Sequence, residues 1–264
     1  MSAERLTESI KAANRQGRVA LIPFITAGFP DLEKFWDILA ELDEAGADVI
    51  EIGVPFSDPV ADGPVVAAAS QRAIANGATL AWLLRELAAR KERCKAPLVL
   101  MGYYNPFLQY GLEKFAQQAG AARVGEVSGC IVPDLPLEES AAMRAALATE
   151  NMALIPLVGL NTPEERMAAY ARAASGYVYL VSVLGTTGER ASFSPEISTA
   201  LQMANRNFAV PLALGFGLAR PEQLEGLPFR PQAVVFGSAL LKQLEEGGRA
   251  ADFMARWKQP SAGF

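Results

Sequence analysis

The sequence contains no histidine. That absence removes every Ser-His and Cys-His nucleophile pair and the usual zinc sites, so proton transfer near neutral pH must fall to carboxylates, lysine, tyrosine or cysteine. Cysteine is scarce as well. Cys94 and Cys130 stand far apart with no CxxC spacing, which argues against a disulfide framework and fits a reducing compartment. No apolar run approaches the ~20 residues needed to cross a bilayer, and residues 1–18 are charged and lack the apolar stretch of a secretory signal. The expected location is cytoplasmic, with no membrane partner. Positive charge is in deficit, with a formal net charge of −5, and no Lys/Arg cluster overrides it, so nucleic acid is not an expected partner. No linker-like shift in composition, internal repeat or low-complexity stretch divides the 264 residues.

What is present is an alternation. Short apolar runs rich in β-branched residues and ended by Gly or Pro alternate with amphipathic stretches. Strands are predicted at 18–26, 48–53, 97–101, 128–132, 152–158, 177–182, 210–214 and 233–236. Helices are predicted at 4–15 and 31–45, and over 64–93 with a break near Asn76-Gly77 and a cap at Thr79. Others follow at 111–119, at 136–150, after Thr162-Pro163, after Pro195 and at 238–257. Near-continuous apolar strands imply burial on both faces, and eight βα units in this length favour a closed (β/α)8 TIM barrel with an extra N-terminal helix over an open sheet. Residues 1–264 read as a single barrel domain.

A barrel places its chemistry just past the C-terminal ends of its strands. The stretch 50–64, IEIGVPFSDPVADGP, runs from a predicted strand into a loop. Glu51 sits among apolar neighbours, where a carboxylate is costly unless paired or protonated. Its pKa should rise, allowing it to donate a proton near neutrality. Asp62 lies in the loop and should stay ionised and accept a hydrogen bond. The plainer alternative pairs Glu51 with an arginine inside the barrel and has Asp62 merely turn the loop.

Two glycine motifs, Gly215-Phe216-Gly217 after the seventh strand and Phe236-Gly237-Ser238 after the eighth, occupy the usual phosphate position of barrels, at the start of a helix. Singly, either could be a turn. Residues 182–194, SVLGTTGERASFS, suit a lid, in which Gly188 could add an N–H to a phosphate and Thr187 could bond a loop carboxylate; an ordinary exposed loop is the alternative. Phe24, Met101, Tyr103, Tyr179 and Phe216 fall at or near strand ends. Each could be plain core, but together they suggest a flat, apolar substrate portion. No lysine falls at a predicted strand's C-terminal end, which disfavours a Schiff base. With no histidine and no cysteine pair, metal-assisted carbon–carbon cleavage lacks support. What remains is acid/base chemistry by carboxylates on a phosphorylated substrate.

The stretch 50–64 closely resembles the signature of the tryptophan synthase α subunit family. PFITAGFPD at 23–31, YYNPFLQYG at 103–111, VPDLPLEES at 132–140, GFGL and FGSA resemble it too, so the likeness covers nearly the whole chain. The resemblance implies a (β/α)8 barrel lyase that cleaves indole-3-glycerol phosphate to indole and glyceraldehyde 3-phosphate, as one half of an α2β2 heterotetramer. The chain itself would carry no cofactor and no metal, with pyridoxal phosphate in the β subunit. By resemblance, Glu51 protonates indole C3 and Asp62 holds the indole N–H. Gly188, Gly217, Gly237 and Ser238 bind phosphate. Phe24, Met101, Tyr179 and Phe216 line the indole pocket, with Thr187 in the lid. Asp58, Pro59 and Asn105 face the β subunit. The sequence departs from the family's usual lid at Val183 and at Gly185-Thr186-Thr187-Gly188. Two other readings fit the same residues: a free-standing indole-releasing lyase, and a catalytically weak, phosphate-binding regulatory subunit.

Overall fold

The computed structural model describes residues 2–90, 94–182, 196–215, 217–225 and 227–258. Its strands are β1 (Ala20–Thr26), β2 (Ile50–Gly53), β3 (Leu98–Met101), β4 (Val127–Ile131), β5 (Ala153–Leu154), β6 (Leu157–Gly159), β7 (Val178–Val181), β8 (Leu212–Gly215) and β9 (Ala233–Phe236). All pair in parallel, in the order β5-β4-β3-β2-β1-β9-β8-β7-β6. The two end strands are neighbours in the chain, separated only by Ile155 and Pro156. Ile155 N–H donates to the Cys130 carbonyl at 2.9 Å, and Tyr179 N–H donates to the Pro156 carbonyl at 3.0 Å. The sheet therefore closes through these two residues. The fifth strand, expected at 152–158, is one stave in two pieces, because proline has no N–H to give to a ladder. The result is an eight-stave barrel.

Around it, in chain order, lie α1 (Ser2–Arg15), α2 (Lys34–Glu44), α3 (Pro64–Ala75), α4 (Leu80–Ala89), α5 (Tyr104–Tyr110), α6 (Leu112–Gly120), α7 (Ala141–Thr149), α8 (Glu164–Ala173), α9 (Glu196–Asn207), α10 (Ser238–Glu245) and α11 (Ala250–Lys258). The outer layer packs on large apolar side chains. Phe35, Trp36 and Trp82 of α2 and α4 meet with ring centroids 4.7 to 6.2 Å apart.

Helix α1 closes the N-terminal end of the barrel. Leu6, Ile10 and Ala13 share one face and are fully buried against the inward residues of the staves, including Ile22, Val49 and Tyr177. Side chains tie it down. Ser2 Oγ, Thr7 Oγ1 and Asn14 Nδ2 donate to the carbonyls of Val127, Gly176 and Gln232 at 3.1, 2.6 and 2.8 Å. With that end plugged, the C-terminal mouth is where a small molecule can enter.

Three elements differ from the sequence expectation. Helix α5 replaces an expected loop; its first N–H, on Tyr104, is taken by the Asp134 carboxylate at 2.8 Å. The last helix is two helices, broken at Gly247-Gly248, where Gly247 has φ +81°. The helix expected at 136–150 is α7, preceded by one 3₁₀ turn at Leu137–Glu139. Thr79 does cap α4, accepting the Trp82 N–H at 3.1 Å.

Candidate active site

Strand period two points alternate residues into the barrel. On β2 the inward residue near the mouth is Glu51, in register between Phe24 of β1 and Val99 of β3. It has no solvent exposure. The plainer expectation of an arginine partner is not met. Instead Tyr177, one residue before β7, donates its hydroxyl to Glu51 Oε1 at 2.6 Å. The other oxygen, Oε2, is buried with no partner among the described residues. Burial pushes the Glu51 carboxyl up to about 8, against a smaller lowering by the Tyr177 hydrogen bond. Burial and the nearby Glu51 push Tyr177 itself well above its ordinary range, so it stays a donor. Oε1 is then an acceptor, and the carboxyl proton resides on Oε2.

Asp62 approaches the same space from the loop after β2. Burial pushes it up to about 6, opposed by a hydrogen bond from Tyr103. It is therefore less freely ionised than a polar loop suggests, but it is still ionised at pH 7, where Glu51 is still protonated. Two carboxylates set apart in this way can divide proton donation and charge stabilisation between them. The Tyr103 hydroxyl also accepts the Ala61 N–H at 2.9 Å, and its ring lies 5.3 Å from that of Phe56. Behind the loop, Ser70 of α3 accepts the Phe56 N–H at 2.8 Å and donates to the Phe56 carbonyl at 3.1 Å. The loop is thus fastened near both ends, with Ser57 to Val60 arching free between them. In Tyr103→Phe, Asp62 loses a bond that favours its ionised form, so its pKa rises above about 6. The acid limb of the pH–rate profile should move to higher pH, and an unmoved limb would show that Asp62 does not set it.

Phe24, Glu51, Asp62, Met101, Tyr179, Gly237 and Ser238 line one cavity of about 40 Å³. Gly237 is the N-cap of α10 and no side chain caps it, so the first N–H groups of that helix, beginning with Ser238, face the mouth unpaired by a cap. A side chain at Gly237 would collide with Phe24, whose ring stands 2.9 Å from where a Cβ would lie. Gly217, with φ +78°, does not line this cavity; its carbonyl accepts the Gln223 amide at 3.0 Å. Asp58 and Asn105 stand outside it, exposed on the rim, with Pro59 half-buried. Thr187, Gly188 and Phe216 lie outside the described residues, as do Val183 and the rest of the expected lid. Among the described residues no group of three Cys, Asp or Glu side chains could hold a metal ion.

Sequence reasoning missed Tyr177 altogether and saw Tyr103 only as an apolar wall. The signal for Tyr177 was its spacing. Tyr177 and Tyr179 are two apart on one strand, so if Tyr179 faces the interior Tyr177 does too, and a buried hydroxyl needs a partner.

A (β/α)8 barrel with a protonated carboxyl and an ionised one at its mouth, beside an uncapped helix start, defines a class: barrel enzymes that work by carboxylate acid–base chemistry. Likeness to known proteins narrows this. The tryptophan synthase alpha chain family matches residues 10–260. The tryptophan synthase alpha chain of Nitratidesulfovibrio vulgaris (strain Hildenborough) is 60% identical over 259 residues, covering 98% of this chain and 100% of that one. That of Desulfovibrio desulfuricans is 62% identical over 255 residues, covering 96% and 99%. A solved Mycobacterium tuberculosis tryptophan synthase chain superposes with a TM-score of 0.86 at 30% identity, over 97% of this chain and 99% of that one. The chain belongs to the tryptophan synthase alpha chain family. It is a lyase of indole-3-glycerol phosphate cleavage, from a family whose alpha chains lack a cofactor and have a beta subunit as partner.

Proposed function

We propose that Glu51 carries the cleavage of indole-3-glycerol phosphate as both acid and base, with Asp62 as the carboxylate that holds the ring. The proton on Glu51 Oε2 passes to indole C3 while Asp62 holds the indole N–H and balances the positive charge that develops on the ring. With C3 protonated, the ring is an electron sink. The bond from C3 to the glycerol carbon breaks, that carbon's hydroxyl becomes the aldehyde of glyceraldehyde 3-phosphate, and its proton goes to the Glu51 carboxylate. Protons balance, and neither a lysine imine nor a metal is needed. Phe24, Met101 and Tyr179, with Phe216, hold the indole plane. The N–H groups at Gly237 and Ser238, with Gly217 and Gly188, take the phosphate, and Thr187 engages Asp62 from the lid.

The observation that carries this reading is Glu51 with one oxygen fixed by Tyr177 and the other unpartnered beside the cavity it shares with Asp62. Release of indole from indole-3-glycerol phosphate tests it. Measuring it with and without a β subunit also separates a coupled subunit from a free-standing lyase or a weak regulatory chain. We place the chain as one domain of an α2β2 cytoplasmic enzyme with pyridoxal phosphate in the β subunit. The partner face is Asp58, Pro59 and Asn105. Two of the exposed large apolar side chains, Val60 and Leu108, lie beside these residues, 80% and 49% exposed, as a face that a partner covers would be.

Ser238→Asp tests the phosphate end. A carboxylate in the first turn suits the helix but repels a phosphate. The KM for substrate should rise by roughly an order of magnitude or more with the melting temperature unchanged. An unchanged KM would remove Ser238 from the phosphate site.

A further inference from the structure

A second cavity, of about 350 Å³, opens at the fifth stave and shares no lining residue with the cavity that holds Glu51. Its origin is the break in the fifth stave. Helix α7 packs on α6 and α8 on α9, and the two leave a gap over Leu154 and Pro156, walled by Leu135 and Tyr170. That volume is in the range of small-molecule sites, and the lining is mostly apolar with a few polar groups, as such sites require.

The polar groups are of two signs. Arg144, on α7, lines the cavity and has no carboxylate partner among the described residues; its guanidinium donates one bond, from Nη1 to the Ala173 carbonyl at 2.9 Å. Asp134, in the loop after β4, also lines it. Its Oδ1 accepts the Tyr104 N–H, and Oδ2 has no partner among the described residues. Nearby Arg166 and Glu138 are already paired with each other in a fork of 2.9 and 3.0 Å, so they offer no net charge. An unpaired cation and an unpaired anion around an apolar chamber match a zwitterion with an apolar body.

We propose that this cavity binds an apolar α-amino acid, with its carboxylate on Arg144, its ammonium on Asp134 and its side chain over Leu154 and Pro156. The site would report to the partner face, because the same Asp134 carboxylate holds the first N–H of α5, the helix that carries Asn105 and Leu108. The inference does not rest on the assignments of Glu51 and Asp62.

Calorimetric titration of the full chain with L-phenylalanine and L-leucine tests it. Saturable binding is expected for at least one of them. 3-Phenylpropionate and L-phenylalaninamide each lack one charge and should bind about tenfold more weakly than L-phenylalanine. Arg144→Gln should weaken the amino acid about tenfold but leave the amide's affinity unchanged. Leu154→Trp, which fills the chamber, should abolish binding, and indole release should persist in both variants. No saturable heat with either amino acid overturns the proposal, as does undiminished binding in Arg144→Gln or Leu154→Trp. The analogue series uses only the parent protein, so it remains decisive even if a substitution misfolds: equal affinities for all three phenyl compounds overturn the proposal.

Discussion

In Glu51→Gln, indole release falls by about a thousandfold or more, while substrate binding changes little. Glutamine is the same size and neutral, as Glu51 is at pH 7 with its pKa near 8. Its amide oxygen can keep the bond from Tyr177. What is lost is the proton on Oε2. Among the described residues nothing else at the mouth can supply it. There is no histidine, Tyr177 and Tyr179 are held well above their ordinary range chiefly by burial, which the substitution leaves in place, and Asp62, near 6, is mostly ionised. The remaining titratable groups of the staves are no better placed: Cys130 is buried with its thiol pushed far up. The measurement is steady-state indole release across a range of substrate concentrations. Turnover within tenfold of the parent protein would sink the assignment of Glu51 as the acid.

Glu51 was legible in the sequence because a carboxylate inside an apolar strand contradicts its surroundings, and local contradictions concentrate at functional sites. The barrel was legible for a similar reason, since strand and helix periodicities alternate without a gap. Tyr177 was not legible, because an aromatic residue at the edge of an apolar strand reads as core. Its hydroxyl acquires meaning only when the closed barrel sets β7 across from β2. The same holds for α5. Tyr104 to Tyr110 is aromatic and contains Pro106, a poor helix by propensity, and its start is secured by Asp134 from the loop after β4. Pro156 was visible, but not its effect, because the fifth strand stays in the barrel by trading its pairing from β4 to β7 across that residue. What the sequence hid was set by contacts far apart in the chain.

The buried carboxyl also makes a prediction about stability. In the folded protein Glu51 titrates near 8, against an ordinary value of 4.5 in the unfolded chain. Between those values the folded state holds a proton that the unfolded state has released. Stability is therefore greatest below about pH 4.5 as far as this group is concerned, declines as pH rises toward 8, and is level above that. The raised pKa corresponds to a loss on the order of 5 kcal/mol across the window, an upper bound for a site that can relax. Asp62, raised to about 6 from 3.8, acts in the same direction over a lower and narrower window. Asp31 and Glu138 are lowered, which gives the opposite slope, but both are exposed and contribute little. Glu51→Gln removes the largest of these terms. Urea unfolding of the two proteins at about pH 5 and about pH 9 separates the contributions: the variant should gain on the parent by several kcal/mol between the two conditions. A difference independent of pH would mean that Glu51 is ionised in the folded protein throughout, and the proton assigned to Oε2 would then be absent. On the role proposed for Glu51, activity and stability thus oppose each other at one residue. The burial that would hold a proton ready for the substrate weakens the barrel as pH rises from about 4.5 toward 8.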